Sequence, residues 1–324
     1  MFSEEPNVPH SEESAGEDDM IEDAEGGEEY EDLLGDYPPD TDEIELSHMR
    51  LTDIPSLQLD RFTDLKRLCL RQNLISKIEG LSEIVTLNEL DLYDNRISSI
   101  ENLESLVNLD SLDLSFNNIR HIKGIGKLTN LTNLYFVQNK ISKIENLESL
   151  TKLTNLELGA NRIRTIEKLD TLVNIEQLWL GKNKITEFQN LSYQRNLRIL
   201  SIQSNRITEI KGLEELINLE ELYLSHNGVR RIKGLENNIK LRVLDISNNH
   251  VSHVENISHL VNLEEFWASH NQFESFEEIE TQLAHLEHLN TVYFEGNPLQ
   301  NNNDATYRLR LKTLLPTLKQ IDAT

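Results

Sequence analysis

The stretch Leu109-Asp110-Ser111-Leu112-Asp113-Leu114-Ser115-Phe116-Asn117-Asn118-Ile119 carries the pattern that decides the fold. Leu112 and Leu114 stand two apart, the period of a short strand with both leucines on one face. Asn117 follows where such a strand must turn away, and an amide there can both donate to and accept from turn backbone. The pattern recurs along the chain. Asn73, Asn95, Asn117, Asn139, Asn161, Asn183, Asn205, Asn227, Asn249 and Asn271 fall at an interval of 22 residues, and Asn297 follows after 26.

A period of this length with the wording L-x-x-L-x-L-x-x-N-x-I is the signature of a leucine-rich repeat. It predicts an α/β-type solenoid, a horseshoe with a parallel sheet on its concave face. The Ile-x-x-Ile-x-x-Leu spacing, as at Ile141, Ile144 and Leu147, predicts short 3₁₀ turns on the convex face. About twelve repeats occupy 44–297, the first degenerate, with Met49 at the asparagine position. Residues 298–324 read as a cap: Tyr307, Leu309, Leu311, Leu314 and Leu315 predict an amphipathic helix from about Asp304, ended by Pro316.

Residues 1–43 contain 18 Asp and Glu and neither Lys nor Arg, which leaves 38 of the 56 acids against all 31 bases in residues 44–324. This acidic tail is expected to be disordered, because it has too little apolar surface to offset the entropy of ordering. Its patch Tyr30–Pro39 is a candidate docking segment. The charge argues against nucleic acid, whose phosphates demand Lys and Arg. The single cysteine, Cys69, excludes an internal disulfide. The acidic opening and the lack of a long apolar run predict a soluble intracellular chain with no membrane partner. Asn130-Leu131-Thr132 and Asn190-Leu191-Ser192 match the glycosylation pattern but are read as structural.

No catalytic motif stands out, and no enzyme, cofactor or metal is expected. His226 and His270 share a repeat position two units apart, about 10 Å at the spacing of strands, too far to share a metal. The informative positions lie between and beside the strand leucines. The residue between them points out of the concave face, and along the repeats it reads Cys69, Asp91, Asp113, Tyr135, Glu157, Trp179, Ser201, Tyr223, Asp245, Trp267 and Tyr293. Five of these eleven are aromatic in a chain that is 6% aromatic, both tryptophans are among them, four are acidic and none is basic. Exposed Trp and Tyr beside acids mark a protein-binding surface. Glu89, Glu221, Glu265 and Glu295 add acid on flanking positions, Tyr93 and Phe116 add aromatic area, and Arg67, Arg71 and Lys182 add bases. Ten inter-strand gaps give the column a length of roughly 50 Å, the width of a globular partner.

The unbroken 22-residue register, the N-x-I-x-x-I-E-x-L-x-x-L wording and the ending Leu314-Leu315-Pro316-Thr317-Leu318-Lys319-Gln320-Ile321-Asp322-Ala323-Thr324 resemble the leucine-rich-repeat regulatory subunits (subunit 7 type) of protein phosphatase 1. The resemblance covers residues 44–324. It implies a monomeric, non-catalytic chain of nucleus and cytoplasm that binds the phosphatase catalytic subunit through Asp113, Tyr135, Glu157, Trp179, Asp245, Glu265, Trp267 and Tyr293. To these the column reading adds Tyr223. Phenylalanine stands in the family where this chain has Tyr135 and Trp179. The resemblance also implies that the partner is held in an inactive, metal-deficient form, at times beside inhibitor-3, with consequences for its maturation and for mitosis. No R-V-x-F docking peptide is present; Arg242-Val243-Leu244-Asp245 comes nearest, lacks the aromatic and lies in a repeat strand. The alternative reading is an acidic nuclear chaperone that holds histones through its tail.

Overall fold

Each repeat contributes one three-residue strand. In the computed structural model, which describes residues 33–323, twelve of these and a terminal two-residue strand form one parallel sheet in chain order. The strands are β1 (Glu43–Glu45), β2 (Arg67–Cys69), β3 (Glu89–Asp91), β4 (Ser111–Asp113), β5 (Asn133–Tyr135), β6 (Asn155–Glu157), β7 (Gln177–Trp179), β8 (Ile199–Ser201), β9 (Glu221–Tyr223), β10 (Val243–Asp245), β11 (Glu265–Trp267), β12 (Thr291–Tyr293) and β13 (Gln320–Ile321). The register never slips: Leu90 pairs with Leu112, Leu112 with Leu134 and Leu134 with Leu156. These central leucines are fully buried and head a core of stacked Leu and Ile.

The asparagines hold the layers together. Asn117 is buried. Its Nδ2 donates to the carbonyls of Leu114 (3.2 Å) and Ser115 (3.1 Å) in its own turn and of Leu92 (2.9 Å) in the preceding layer. Its Oδ1 accepts the N–H of Ile97 at 2.9 Å, also from the preceding layer. Asn139 and Asn161 repeat this set one and two layers on. Backbone groups that the short strand leaves unpaired in the interior are thus satisfied within the core.

On the convex side the chain makes isolated i→i+3 turns, as from Leu106 to Leu103 (3.0 Å) and Leu109 to Leu106 (3.1 Å). In the layer of Ile141, Ile144 and Leu147, these bonds sit on Leu147, Leu150 and Leu153, while Ile141 and Ile144 only bury their side chains in irregular backbone. Successive 3₁₀ residues occur at Pro55–Leu57 and Leu59–Arg61. The 26-residue unit has room for about one further helical turn and forms α1 (Phe276–Leu283), whose N-cap Ser275 accepts the N–H of Glu278 at 3.1 Å.

The ends of the repeat array are built differently from its middle. Residues 1–32, which include most of the tail and Tyr30, Glu31 and Asp32 of its patch, lie outside the described residues. Residues 33–36 form a turn, and the compact unit that holds the repeats starts at Tyr37. Residues 37–42 are tied in because β2 needs acceptors at its entry: Lys66 and Arg67 donate to the Asp42 carbonyl (2.9 and 3.0 Å), and Thr63 donates to Pro39 (3.1 Å).

At the other end the cap comprises α2 (Pro298–Asn301), α3 (Tyr307–Leu314) and β13. Tyr307 and Leu311 face inward one turn apart, and Leu309, counted on the inner face from its spacing, is 71% exposed because it projects from the opposite side of the helix. Asp322 stands level with Tyr293, and its side chain accepts a bond that inner layers give to the next strand's carbonyl, as Ala268 N–H does to Tyr293. Asp322 is buried and left-handed (φ 56°), and its Oδ1 accepts the N–H groups of Phe294 (2.9 Å) and Glu295 (3.1 Å). The Tyr307 hydroxyl donates to the same carboxylate at 3.0 Å. Burial and this carboxylate push the Tyr307 phenol far above its ordinary value. Asp322→Ala is expected to lower the unfolding free energy by about 1–3 kcal/mol and to speed amide exchange at Phe294 and Glu295. Urea unfolding and hydrogen exchange measure both, and protected amides in the variant would contradict the assignment.

Candidate functional site

Constant register sets the third residue of each strand directly over its neighbour. Asp113, Tyr135, Glu157 and Trp179 are consecutive pairs, as are Tyr223, Asp245, Trp267 and Tyr293. Glu265 leads the strand that ends in Trp267 and shares its face. All nine residues expected to bind a partner therefore stand on one sheet face, although the structure does not present them equally.

The C-terminal half is an aromatic ladder. The rings of Trp179 and Tyr223 stack with centroids 6.5 Å apart, spanning the strand that bears Ser201. Those of Tyr223 and Trp267 lie 6.0 Å apart, spanning the strand that bears Asp245. Trp267 and Tyr293, on adjacent strands, stack at 5.7 Å. The large rings close over the smaller residues between them: Ser201 is 1% and Asp245 6% exposed. Asp245 is thus a covered residue in the free protein and not the surface acid that its column position suggests. Its Oδ1 accepts the N–H of Ser247 at 2.9 Å and so holds the turn after β10.

Carboxylates fix the ladder's polar edges. The Tyr223 hydroxyl donates to Glu221 at 2.8 Å, and the Trp267 indole N–H donates to Glu265 at 2.9 Å. Burial, then the bond to Glu221, hold the Tyr223 phenol well above its usual range. Gln177 stands where those glutamates stand, and the buried Trp179 N–H has no hydrogen-bond partner. From the cap, Gln320 donates to the Tyr293 hydroxyl at 2.8 Å. Sequence reading missed Gln320, since it lies outside the repeat and carries no periodic signal.

The N-terminal half is acidic. Burial raises the carboxyls of Asp91 and Glu157, and Asp113 between their strands adds a smaller push upward on each. Burial likewise raises the Tyr135 phenol, which accepts a long bond (3.4 Å) from Asn155. At the start of this half, Arg71 pairs with Asp91 at 3.2 Å and lies 4.2 Å over the Tyr93 ring, which packs against Phe116 at 4.8 Å.

Other candidates lie elsewhere or carry structural duties. Asn130 and Asn190 donate to carbonyls of the preceding layer, Val107 (2.9 Å) and Ile166 (2.7 Å). Among the described residues, no group of three or more His, Cys, Asp or Glu could hold a metal ion, and no helix is long and apolar enough to cross a membrane.

A leucine-rich-repeat profile matches residues 67–180, and a two-copy leucine-rich-repeat profile matches residues 195–237 and 217–260. Over 53 residues the chain is 57% identical to protein phosphatase 1 regulatory subunit SDS22 of Schizosaccharomyces pombe, covering 16% of each. Over 56 residues it is 50% identical to the protein of that name in Saccharomyces cerevisiae, covering 17% of this chain and 16% of the relative. The matched stretch thus spans about a sixth of these curated relatives. Among solved structures, an internalin of Listeria monocytogenes superposes with a TM-score of 0.69 at 21% identity, covering 87% of each chain. A leucine-rich-repeat protein of Leptospira interrogans gives 0.66 at 24% identity, covering 84% of this chain and 81% of that one. At these identities the likeness is one of fold.

The raised carboxyl of Glu157 gives a pH signature. An acid whose folded pKa lies above its unfolded value costs stability once the pH has risen through that folded value. Glu157→Gln removes this cost. The variant is expected to be more stable than the parent at neutral pH, with the gap closing below the ordinary carboxylate range, where Glu157 is protonated in both states. Thermal unfolding at pH 3 and pH 7 tests it, and a variant less stable at pH 7 would contradict it.

Proposed function

We propose that this leucine-rich-repeat protein is a non-catalytic regulatory subunit that binds the catalytic subunit of Ser/Thr protein phosphatase 1 through its sheet face. The observation that carries the reading is the ladder Trp179–Tyr223–Trp267–Tyr293 with Glu221 and Glu265 bonded to its edges. Rings already held by one another lose little freedom on binding, so more of their contact energy appears as affinity. Carboxylates held above their ordinary pKa are poorly solvated anions, and a partner's Lys or Arg would relieve that. A face with these properties suits a broad protein surface that is basic and offers pockets for aromatic rings. The phosphatase is chosen over other such partners because of the resemblance in the repeats and ending and because of the names of the two yeast relatives.

The finer reading is that the chain holds the catalytic subunit in an inactive, metal-deficient form, at times with inhibitor-3, and so controls its maturation and its action in mitosis, in nucleus and cytoplasm. It rests on the same resemblance.

Binding of the purified catalytic subunit to the full chain and to Trp179→Ala, Trp267→Ala and the pair tests the surface. Each single change is expected to cost about 2 kcal/mol or more, close to 30-fold in affinity. Activity and bound metal in the recovered complex test the finer reading. A pair variant that binds like the parent would contradict the site. A chain beginning at Tyr37 is expected to bind as the full chain does; loss of binding there, with histone binding by the full chain, would favour the acidic-chaperone reading.

A further inference from the structure

Phe116 lies beside the column, in the turn between β4 and Asn117. Its backbone is left-handed (φ 55°) and its side chain is substantially exposed (40%). The layers share this conformation at this position: Gln72, Asp94, Gln138, Ala160, Lys182, Ser204, His226, Asn248, His270 and Gly296 all have φ between 53° and 72°. Glycine, Asn and Asp enter that region readily, whereas a bulky ring there is a backbone outlier. Phe116 is the one large apolar ring of this set, and it does not serve the core. It packs on Tyr93, which lies under the Arg71 guanidinium, which pairs with Asp91. The run Asp91–Arg71–Tyr93–Phe116 thus fixes a strained, exposed ring on the acidic half of the face.

Resting on the phosphatase-binding reading above, we propose that Phe116 is a second anchor for that same partner and that it receives an arginine or lysine side chain from the partner's surface. The surroundings select a cation. Asp94 holds the same turn position one layer earlier and is exposed, and Asp113 lies three residues before the ring in the acidic column. A cation over the ring face is attracted by its quadrupole, its aliphatic stem covers the ring, and its charge meets those carboxylates. The anchor also has a geometric consequence. It sits three inter-strand gaps from Trp179 and eight from Tyr293, roughly 14 and 38 Å. A partner gripped only by the C-terminal ladder could pivot about it. A second grip at β4 fixes its orientation along the solenoid.

Strain gives the test its sign. Phe116→Asn installs the residue that Asn248 supplies at the same position, which tolerates a left-handed backbone. The full-length variant is expected to keep or raise its thermal midpoint while its affinity for the phosphatase catalytic subunit falls about 10-fold, the range of a partly desolvated cation–ring contact. Phe116→Leu keeps bulk and apolar character without a ring face and is expected to lose a similar factor. An Asn variant that binds like the parent overturns the anchor. A Leu variant that binds like the parent overturns the choice of a cation. An Asn variant with a clearly lowered midpoint makes Phe116 a folding residue and overturns the proposal. Failure of the unaltered chain to bind the phosphatase instead overturns the underlying reading, and this assignment with it.

Discussion

A strand of three residues cannot satisfy the backbone that leads away from it, and the buried or half-buried asparagine that follows each strand from β2 to β12 resolves that constraint. In each of these turns one amide donates to its own layer and to the layer before, and its oxygen accepts a backbone N–H from that earlier layer. The bonds run between layers, so the asparagine sets spacing and register as well as the turn. Where the repeats end, Asn297 keeps this role, and a side chain closes the strand edge instead: Asp322 accepts from Phe294 and Glu295.

The sheet face inherits its organisation from that register. Side chains at the third strand position stand above one another without slip, so rings two strands apart can meet if the residue between them is small or short. Ser201 and Asp245 meet that condition and are covered by the rings on either side. The face therefore has two characters along one axis. An aromatic surface from β7 to β12 is held rigid by its own stacking, and an acidic surface from β3 to β6 carries partly buried carboxylates. Both suit a protein partner better than a small ligand, for they form a broad face lined by rings and charge.

The pattern L-x-L with asparagine three residues on gave the strands, the sheet and the outward column, because each of those positions answers to one local requirement. What escaped depended on contacts between layers or on backbone angles. Asp245 looked exposed because its column position points outward; only the ring–ring distances reveal the lid. The convex turns settled on Leu147, Leu150 and Leu153, since a spacing of three marks inward side chains in irregular backbone as well as in a turn. Tyr37 to Asp42 read as tail by composition, yet their carbonyls serve as acceptors for β2 and the segment before it. Phe116 was visible as aromatic area, but the left-handed backbone that makes its presence costly was not.

Both tryptophans of the protein lie in the ladder, so they report on the central claim without any substitution. The chain labelled with 5-fluorotryptophan gives one fluorine resonance for Trp179 and one for Trp267. Addition of unlabelled phosphatase catalytic subunit is predicted to shift or broaden both, saturating at one equivalent. A complex formed by the criterion of sedimentation, with both resonances unmoved, would contradict the claim that this face is the binding surface.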